Sequence, residues 1–204
     1  MVKIILVRHG ETRWNKDHRI QGAGSDIPLN DTGVLQAQAV AARLKDEEIA
    51  AIYCSPLQRA LSTAKTIAAH HKMDVKTLSP LREMEVGELE GVLSADLNLR
   101  FDEFICQQGD DPIKGKLPGG ESICDVQNRA WDAVTTIAGN YSEGTIVIVT
   151  HYFVIMSIIC HILNLPLSRI PRLRLSPGTV TAFTLDGPGG ARLELFNDGC
   201  HNLR

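Results

Sequence analysis

Apolar positions in this chain fall into short aliphatic runs, separated by longer stretches in which they recur at helical spacing. Val2–Val7 is an aliphatic, β-branched run without alternation, the mark of a strand buried on both faces. Ile49–Cys54, Val75–Leu78 and Ile146–Thr150 read as three further strands. After the first, Asn30 is placed to cap a helix, with Leu29 and Val34 at staple spacing and apolar residues recurring through Leu35, Ala39, Ala42 and Leu44. Ser55 as a cap and Pro56 at the first helical position predict a second helix, running to about His70. Ser122 and Asp125 resemble a capping box ahead of a helix through Trp131 and Val134, and the fourth strand runs on into a helix over Tyr152–Leu163. Thr179–Leu185 and Ala191–Asn197 flank the turn Gly187-Pro188-Gly189-Gly190, which predicts a hairpin.

Strands alternating with helices imply the α/β class, a three-layer α/β/α sandwich around a mostly parallel, mixed sheet. Residues 88–118 break the alternation with a helix near Ser94–Gln107 and a loop rich in Gly and Pro. They read as a small cap inserted over one end of the sheet, within a single domain spanning residues 1–204. A chain of 204 residues can bury roughly 70% of its unfolded surface and needs no covalent staple. With 44% apolar and 22% charged residues, it is neither disordered nor collagen-like. A net charge of −3 argues against nucleic acid held by a bulk basic surface, and leaves room for a local pocket that binds a small anion.

Cys54, Cys106, Cys124, Cys160 and Cys200 are odd in number and contain no CxxC pair, so neither a disulfide framework nor a zinc site is written there. They are expected to be reduced thiols acting as small core residues. Ile4–Val7 is too short for a signal-peptide core and meets Arg8 at once. Thr145–Leu165 is long enough to suggest a membrane helix, but it carries His151 and His161 and its first half is β-branched. A cytoplasmic chain without a membrane or nucleic-acid partner is expected. The hairpin edge after Thr179 is where a second copy could pair to form a homodimer.

In an open α/β sheet, ligands bind beyond the carboxyl ends of the strands. The first strand ends in Arg8-His9-Gly10-Glu11-Thr12, and the second leads through Ser55-Pro56 to Arg59 in the first turn of its helix. Arg82 and Glu83 follow the third strand, and the fourth ends in Thr150-His151. One histidine after a strand is commonplace. Two histidines, two arginines and a carboxylate converging by topology are not. Two guanidiniums can hold a tetrahedral dianion through forked, charge-assisted hydrogen bonds, aided by free amides at the start of the helix that carries Arg59. A neutral imidazole between them is a nucleophile at physiological pH, and a carboxylic acid at the rim can protonate a leaving oxygen. Such a set suits phosphoryl transfer through a phosphohistidine, with arginine and histidine supplying the charge that Mg²⁺ supplies elsewhere. Neither a metal nor a cofactor is called for.

At these residues the chain resembles the histidine phosphatase superfamily, the phosphoglycerate mutase-like fold. The resemblance rests on Leu6-Val7-Arg8-His9-Gly10-Glu11-Thr12 with Trp14-Asn15, then Gln21-Gly22, Asp26-Ile27-Pro28-Leu29, Gly33 and Gln36-Ala37. It continues through Ser55-Pro56-Leu57-Gln58-Arg59-Ala60, Leu81-Arg82-Glu83, Gly87, Glu90-Gly91, Pro118-Gly119-Gly120-Glu121-Ser122 and Val149-Thr150-His151. It implies His9 as the phosphorylated nucleophile, Arg8, Arg59 and His151 as the phosphate clamp, and Glu83 as the proton donor that later activates water. Asn15, Gln21 and Gly22 become secondary phosphate or substrate contacts, although Asn15 also suits a turn and Gln21 could simply brace its loop. Glu85 competes with Glu83 but lies off the motif position. His18, His70, His71 and His161 are expected to have no catalytic part. The chain departs from the family pattern at Tyr152-Phe153, where glycine usually follows the second histidine, at Leu89 in place of tryptophan, and at Thr150 in place of serine.

Mutases of this kind are usually longer, with a segment after the proton-donor motif, whereas here Gly91-Val92-Leu93 continues directly into a helix. That length and Pro118–Ser122 favour the phosphatase branch, which includes alpha-ribazole phosphatases, broad-specificity acid phosphatases and fructose-2,6-bisphosphatase-like enzymes. The expectation is a metal-independent phosphomonoesterase for a small phosphorylated metabolite, with alpha-ribazole phosphate or a sugar phosphate as candidates. A 2,3-bisphosphoglycerate-dependent phosphoglycerate mutase is the second reading, and a non-catalytic module that binds phosphorylated partners the third. Gly22-Ala23-Gly24 lacks the third glycine of a dinucleotide loop. Arg100, Lys114 and Lys116, with Arg169, Arg172 and Arg174, are candidates for meeting a second anionic group on the substrate.

Overall fold

In the computed structural model, which describes residues 1–95, 115–186 and 190–202, alternate residues of the first strand face opposite ways. β1 (Val2–Arg8) sends Ile4 and Leu6 into one core and Ile5 and Val7 into the other. A sheet apolar on both faces needs a helix layer on each. After the single turn α1 (Arg13–Lys16), α2 (Asp31–Leu44) packs on the face of Ile5 and Val7. β2 (Ile49–Cys54) leads to α3 (Gln58–His71) on that same face, and β3 (Val75–Thr77) follows. α4 (Ile123–Gly139) and α5 (Tyr152–Ile162), on either side of β4 (Gly144–Thr150) in sequence, cover Ile4, Leu6, Ile146 and Ile148 on the opposite face. β5 (Val180–Leu185) and β6 (Ala191–Asp198) form the expected antiparallel hairpin.

The sheet order is β3-β2-β4-β1-β5-β6. The first four strands in that order run parallel, and β5 joins β1 antiparallel. The result is the mixed three-layer sandwich that the pattern predicts. Arg8 lies opposite Thr150, and Cys54 opposite Val149, so the carboxyl ends of the strands are nearly level. β1 passes the chain to α2 on one face, while its neighbour β4 passes it to α5 on the other. The chain therefore leaves these two neighbours toward opposite faces, a topological switch point of the kind at which open α/β sheets bind ligands.

Two helix readings need correction. Asn30 does cap α2, its side chain accepting from the Gly33 amide at 2.8 Å. The buried stripe, however, is Gly33, Ala37, Val40, Ala41 and Leu44, and Val34 and Leu35 are 45% and 65% exposed. Gly33 sets this rotation, because a Cβ there would stand 2.0 Å from the Glu11 carbonyl oxygen. That glycine must face the loop after β1, and its small companions at 37 and 41 then face the core. The second correction is that α3 begins at Gln58, after Pro56. The Ser55 hydroxyl accepts from the Leu57 amide at 3.3 Å, making a turn, and the Gln58 amide is capped from a distant loop by Asp26 at 2.7 Å.

The Ser122–Asp125 capping box forms as expected, each side chain accepting from the other's amide at 3.1 Å. The helix expected near Ser94–Gln107 and the loop after it lie almost wholly outside the described residues. Their approach is tied down by Ile20, whose amide donates to Val92 and whose carbonyl accepts from Gly91. Among the described residues no helix is long and apolar enough to cross a membrane. Cys54 and Cys160 are buried in the two cores and Cys200 is exposed, while Cys106 falls outside the described residues.

Candidate active site

Because β1 and β4 are parallel neighbours with Arg8 opposite Thr150, the next residue of each strand must stand beside the other. These residues are His9 and His151. The His9 amide donates to the Thr150 carbonyl at 3.0 Å, and the two imidazole centroids lie 5.1 Å apart at 60°. Both rings are buried. His9 Nδ1 sits 2.7 Å from the Gly10 carbonyl oxygen, which can only accept, so Nδ1 carries the hydrogen and Nε2 keeps its lone pair. Burial, reinforced by Arg59 and Arg8, holds the His9 pKa well below 6.5 against that Gly10 hydrogen bond. Burial, with Arg59, His9 and Arg8, does the same for His151.

Arg59 enters from the first turn of α3 and is fully buried, with Nη1 donating to the Ser25 carbonyl and Nη2 to that of Gly22, both at 2.9 Å. Arg8 donates from Nη1 to the Leu175 carbonyl at 2.6 Å, and its guanidinium carbon stands 5.3 Å from the centre of the Tyr152 ring. Burial brings the Arg8 pKa down to about 10 and lowers that of Arg59 as well, yet both stay charged at neutral pH. Their partners are neutral carbonyls. Two cations held this way, Arg59 buried and Arg8 half-buried, favour an anion between them.

Glu83 is also buried, its Oε1 accepting from the Met84 amide at 2.9 Å and the Phe153 amide at 3.2 Å. Burial raises its pKa in spite of those donors and of Arg59 and Arg8. It therefore holds a proton more readily than a surface glutamate does. The Thr150 hydroxyl donates to the Leu81 carbonyl at 2.7 Å and so ties the end of β4 to the segment that carries Glu83.

Nine buried side-chain nitrogen or oxygen atoms lack a hydrogen-bond partner among the described residues, and five of them belong to the expected site. They are Arg8 Nε, Arg59 Nε, Gln21 Nε2 and both ring nitrogens of His151. An unsatisfied buried polar group costs about 1–3 kcal/mol, so their concentration beside His9 points to a ligand rich in acceptor oxygens.

The secondary residues divide. Gln21 braces its loop, its Oε1 accepting from the Thr12 hydroxyl at 2.7 Å, while its buried Nε2 is left unpartnered. Asn15 takes the turn role, its Oδ1 accepting from the Thr12 amide at 3.1 Å in the capping box of α1. Gly22 was expected to touch substrate, yet its amide donates to Glu90 Oε1 at 3.0 Å and its carbonyl holds Arg59. A Cβ there would come within 2.7 Å of the Met84 carbonyl oxygen, so Gly22 serves as close-packed backbone support. Glu85 is exposed and lies 3.5 Å from Arg82. His18 and His161 are exposed, and His161 stacks on Trp131 at 4.2 Å. Of the basic candidates, Lys116 pairs with Asp125 at 3.5 Å, Arg169, Arg172 and Arg174 are exposed, and Arg100 and Lys114 lie outside the described residues.

Three residues that carry the site were not assigned roles from sequence: Glu90, Glu121 and Arg129. Both glutamates stand in the motif blocks, but nothing in those blocks says what they hold. Arg129 bonds mainly to carbonyls nearly fifty positions away in the chain, a contact that leaves no local pattern.

Comparison with known proteins agrees with this fold. A model of the histidine phosphatase superfamily (branch 1) matches residues 4–199. A probable phosphoglycerate mutase GpmB from Proteus mirabilis is 38% identical over 175 residues, 86% of this chain and 81% of that one. The structure of Bacillus stearothermophilus YhfR superposes with a TM-score of 0.88 at 31% identity, covering 99% of this chain and 100% of the other. The phosphoserine phosphatase of Entamoeba histolytica, solved in complex with 3-phosphoglyceric acid, gives a TM-score of 0.86 at 31% identity and covers both chains completely, 100% each.

Proposed function

We propose that this chain, which belongs to the histidine phosphatase superfamily, is a phosphomonoesterase that works without a metal ion through a phosphohistidine at His9. The observation that carries the proposal is the group of buried, unpartnered nitrogens on Arg8, Arg59, Gln21 and His151 around a histidine whose Nε2 is free to attack. A phosphoryl group has three equatorial oxygens whose charge must be met in the transition state, and two guanidiniums with an imidazole can meet it.

In the first half-reaction His9 Nε2 attacks phosphorus, the phosphorus–oxygen bond to the alcohol breaks, and Glu83 gives its proton to the departing oxygen. In the second, Glu83 takes a proton from water, the water oxygen attacks phosphorus, and the phosphorus–nitrogen bond breaks to release inorganic phosphate. The raised pKa of Glu83 suits the first role, and the lowered pKa of His9 leaves its lone pair available at neutral pH. The proposed substrate is a small phosphorylated metabolite. Likeness to a phosphoserine phosphatase over the full chain supports a compact monoester, and sugar phosphates and alpha-ribazole phosphate remain in the set to be tested.

One observation favours a second reading, a phosphoglycerate mutase: the 38% identity to a protein of that name. In that reading the phosphoryl group on His9 returns to a sugar acid instead of passing to water. The test is phosphate release in excess EDTA from p-nitrophenyl phosphate, phosphoserine, 3-phosphoglycerate, a sugar phosphate and alpha-ribazole phosphate. Turnover is expected in EDTA, and His9→Ala should abolish it while leaving the circular dichroism unchanged. Exchange between 3- and 2-phosphoglycerate without net release would replace the proposal with the mutase. A His9→Ala variant that kept a tenth of the wild-type rate would remove the phosphohistidine.

A further inference from the structure

We infer that Arg129 and Glu121 are positioning residues that hold the segment carrying Glu83 in register with the scissile bond; this rests on Glu83 being the proton donor proposed above. Glu83 lies between two short 3₁₀ turns, Ser79–Leu81 and Gly87–Leu89, on backbone without a strand or helix of its own. Arg129, on α4, reaches along that backbone. Its Nη1 donates to the carbonyls of Pro80 at 2.6 Å and Arg82 at 2.7 Å, and its Nη2 donates to that of Glu83 at 3.1 Å. The same guanidinium forks onto Glu121, Nε to Oε1 at 2.8 Å and Nη2 to Oε2 at 2.9 Å. Glu121 in turn grips the far side of Glu83. Its Oε2 accepts from the Glu85 amide at 2.9 Å, and its own amide donates to the Glu85 carbonyl at 2.8 Å.

The segment is thus held at positions 80, 82, 83 and 85, on both sides of the proton donor. Neither side chain bonds the Glu83 carboxylate, which is held by the amides of Met84 and Phe153. The pair acts on where the backbone sits. A planar guanidinium can serve three carbonyls and a carboxylate at once, and a lysine ammonium cannot. Arg129 also contributes to the lowered pKa of His151 through its charge. Arg129→Lys keeps that charge and removes the fork, which separates placement from electrostatics.

A misplaced proton donor harms substrates with poor leaving groups and spares those whose leaving group departs as a stable anion. The deciding experiment measures kcat and KM of Arg129→Lys on phosphoserine, an alkyl monoester, and on p-nitrophenyl phosphate. The expected result is a fall in kcat/KM, which reports phosphorylation of His9 alone, of about 10²-fold on phosphoserine and only a small loss of kcat/KM on p-nitrophenyl phosphate; kcat, which also contains the water step common to both substrates, is read separately. Equal losses of kcat/KM on both substrates, or none, would overturn the inference. Should Arg129→Lys fail to fold, Glu121→Gln replaces it, with the same selective loss expected and the same outcome against. Glu83→Gln is the control. If it fails to discriminate between the two substrates, the proton-donor role itself is wrong and the inference falls with it. If it discriminates and the Arg129 and Glu121 variants do not, only the positioning role falls.

Discussion

Which nitrogen of His9 attacks is decided by one carbonyl. With the Gly10 oxygen 2.7 Å from Nδ1, the hydrogen is fixed there and Nε2 keeps the lone pair that attacks. The two titrating groups of the proposed cycle are then moved in opposite directions, His9 down and Glu83 up, each mainly by burial. Phosphoryl transfer to His9 needs neutral imidazole and protonated Glu83, so the shifts set both limbs of the rate profile. The acid limb, from protonation of His9, should lie well below 6.5. The basic limb should appear as pH rises through the raised Glu83 pKa, and it should be strong on alkyl monoesters. In Glu83→Gln that limb should vanish and leave a low, flat rate on the basic side; a limb that survives would belong to another group. Thr150 acts at the same scale through its hydroxyl. Thr150→Val keeps the shape and deprives the buried Leu81 carbonyl of its donor. A loss of about 1–3 kcal/mol in urea unfolding is expected, and a change below about 0.5 kcal/mol would mean that another donor takes the hydroxyl's place.

At the scale of elements, α2 tests what decides a helix face. Its largest apolar residue in the first two turns, Leu35, points outward because Gly33 must face the loop after β1. Leu35→Gln should therefore change stability by no more than about 0.5 kcal/mol, whereas Leu44→Ala, at a fully buried position of the same helix, should cost about 2–5 kcal/mol. The reverse ranking in denaturant melts would contradict the rotation. The same helix explains how far the sequence could be read. β1 and β4 announced themselves through unbroken aliphatic runs, the β5–β6 hairpin through its Gly- and Pro-rich turn, and the capping pairs at Asn30 and Ser122–Asp125 announced two helix starts, because these signals are local. The rotation of α2 and the start of α3 were not legible, since each depends on a partner far along the chain, Glu11 for Gly33 and Asp26 for the Gln58 amide. The site divides in the same way. His9, His151, Arg59 and Glu83 follow strand ends or open helices, so topology alone brings them together. Glu90, Glu121 and Arg129 work through distant backbone, and only the folded chain brings their partners to them.

For the molecule as a whole, the switch between β1 and β4 gathers buried ionisable groups where the two helix layers part. The cost of that arrangement should be visible in the pH dependence of stability. His9 and His151 have folded pKa values well below 6.5, the value expected for the unfolded chain. Below pH 6.5 the unfolded chain takes up protons that the folded state refuses, so stability is full above that pH and falls as the solution is acidified. Each histidine contributes a slope of up to about 1.4 kcal/mol per pH unit. Glu83 has the opposite sign, because its folded pKa lies above the unfolded 4.5. In that window the folded state keeps a proton that the unfolded chain has lost, which offsets part of the histidine slope. The net expectation is a melting temperature that declines between pH 6.5 and 5 and declines less in a His9→Asn, His151→Asn double variant. Sulfate keeps its charge over this range, and a dianion between Arg8 and Arg59 favours charged imidazoles. Saturating sulfate should therefore stabilise the native chain more at pH 5 than at pH 7. Thermal melts at the two pH values, with and without sulfate, test both statements. Equal acid sensitivity in the wild type and the double variant would mean that the buried histidines are not what acid attacks, and that the site's electrostatics are set elsewhere.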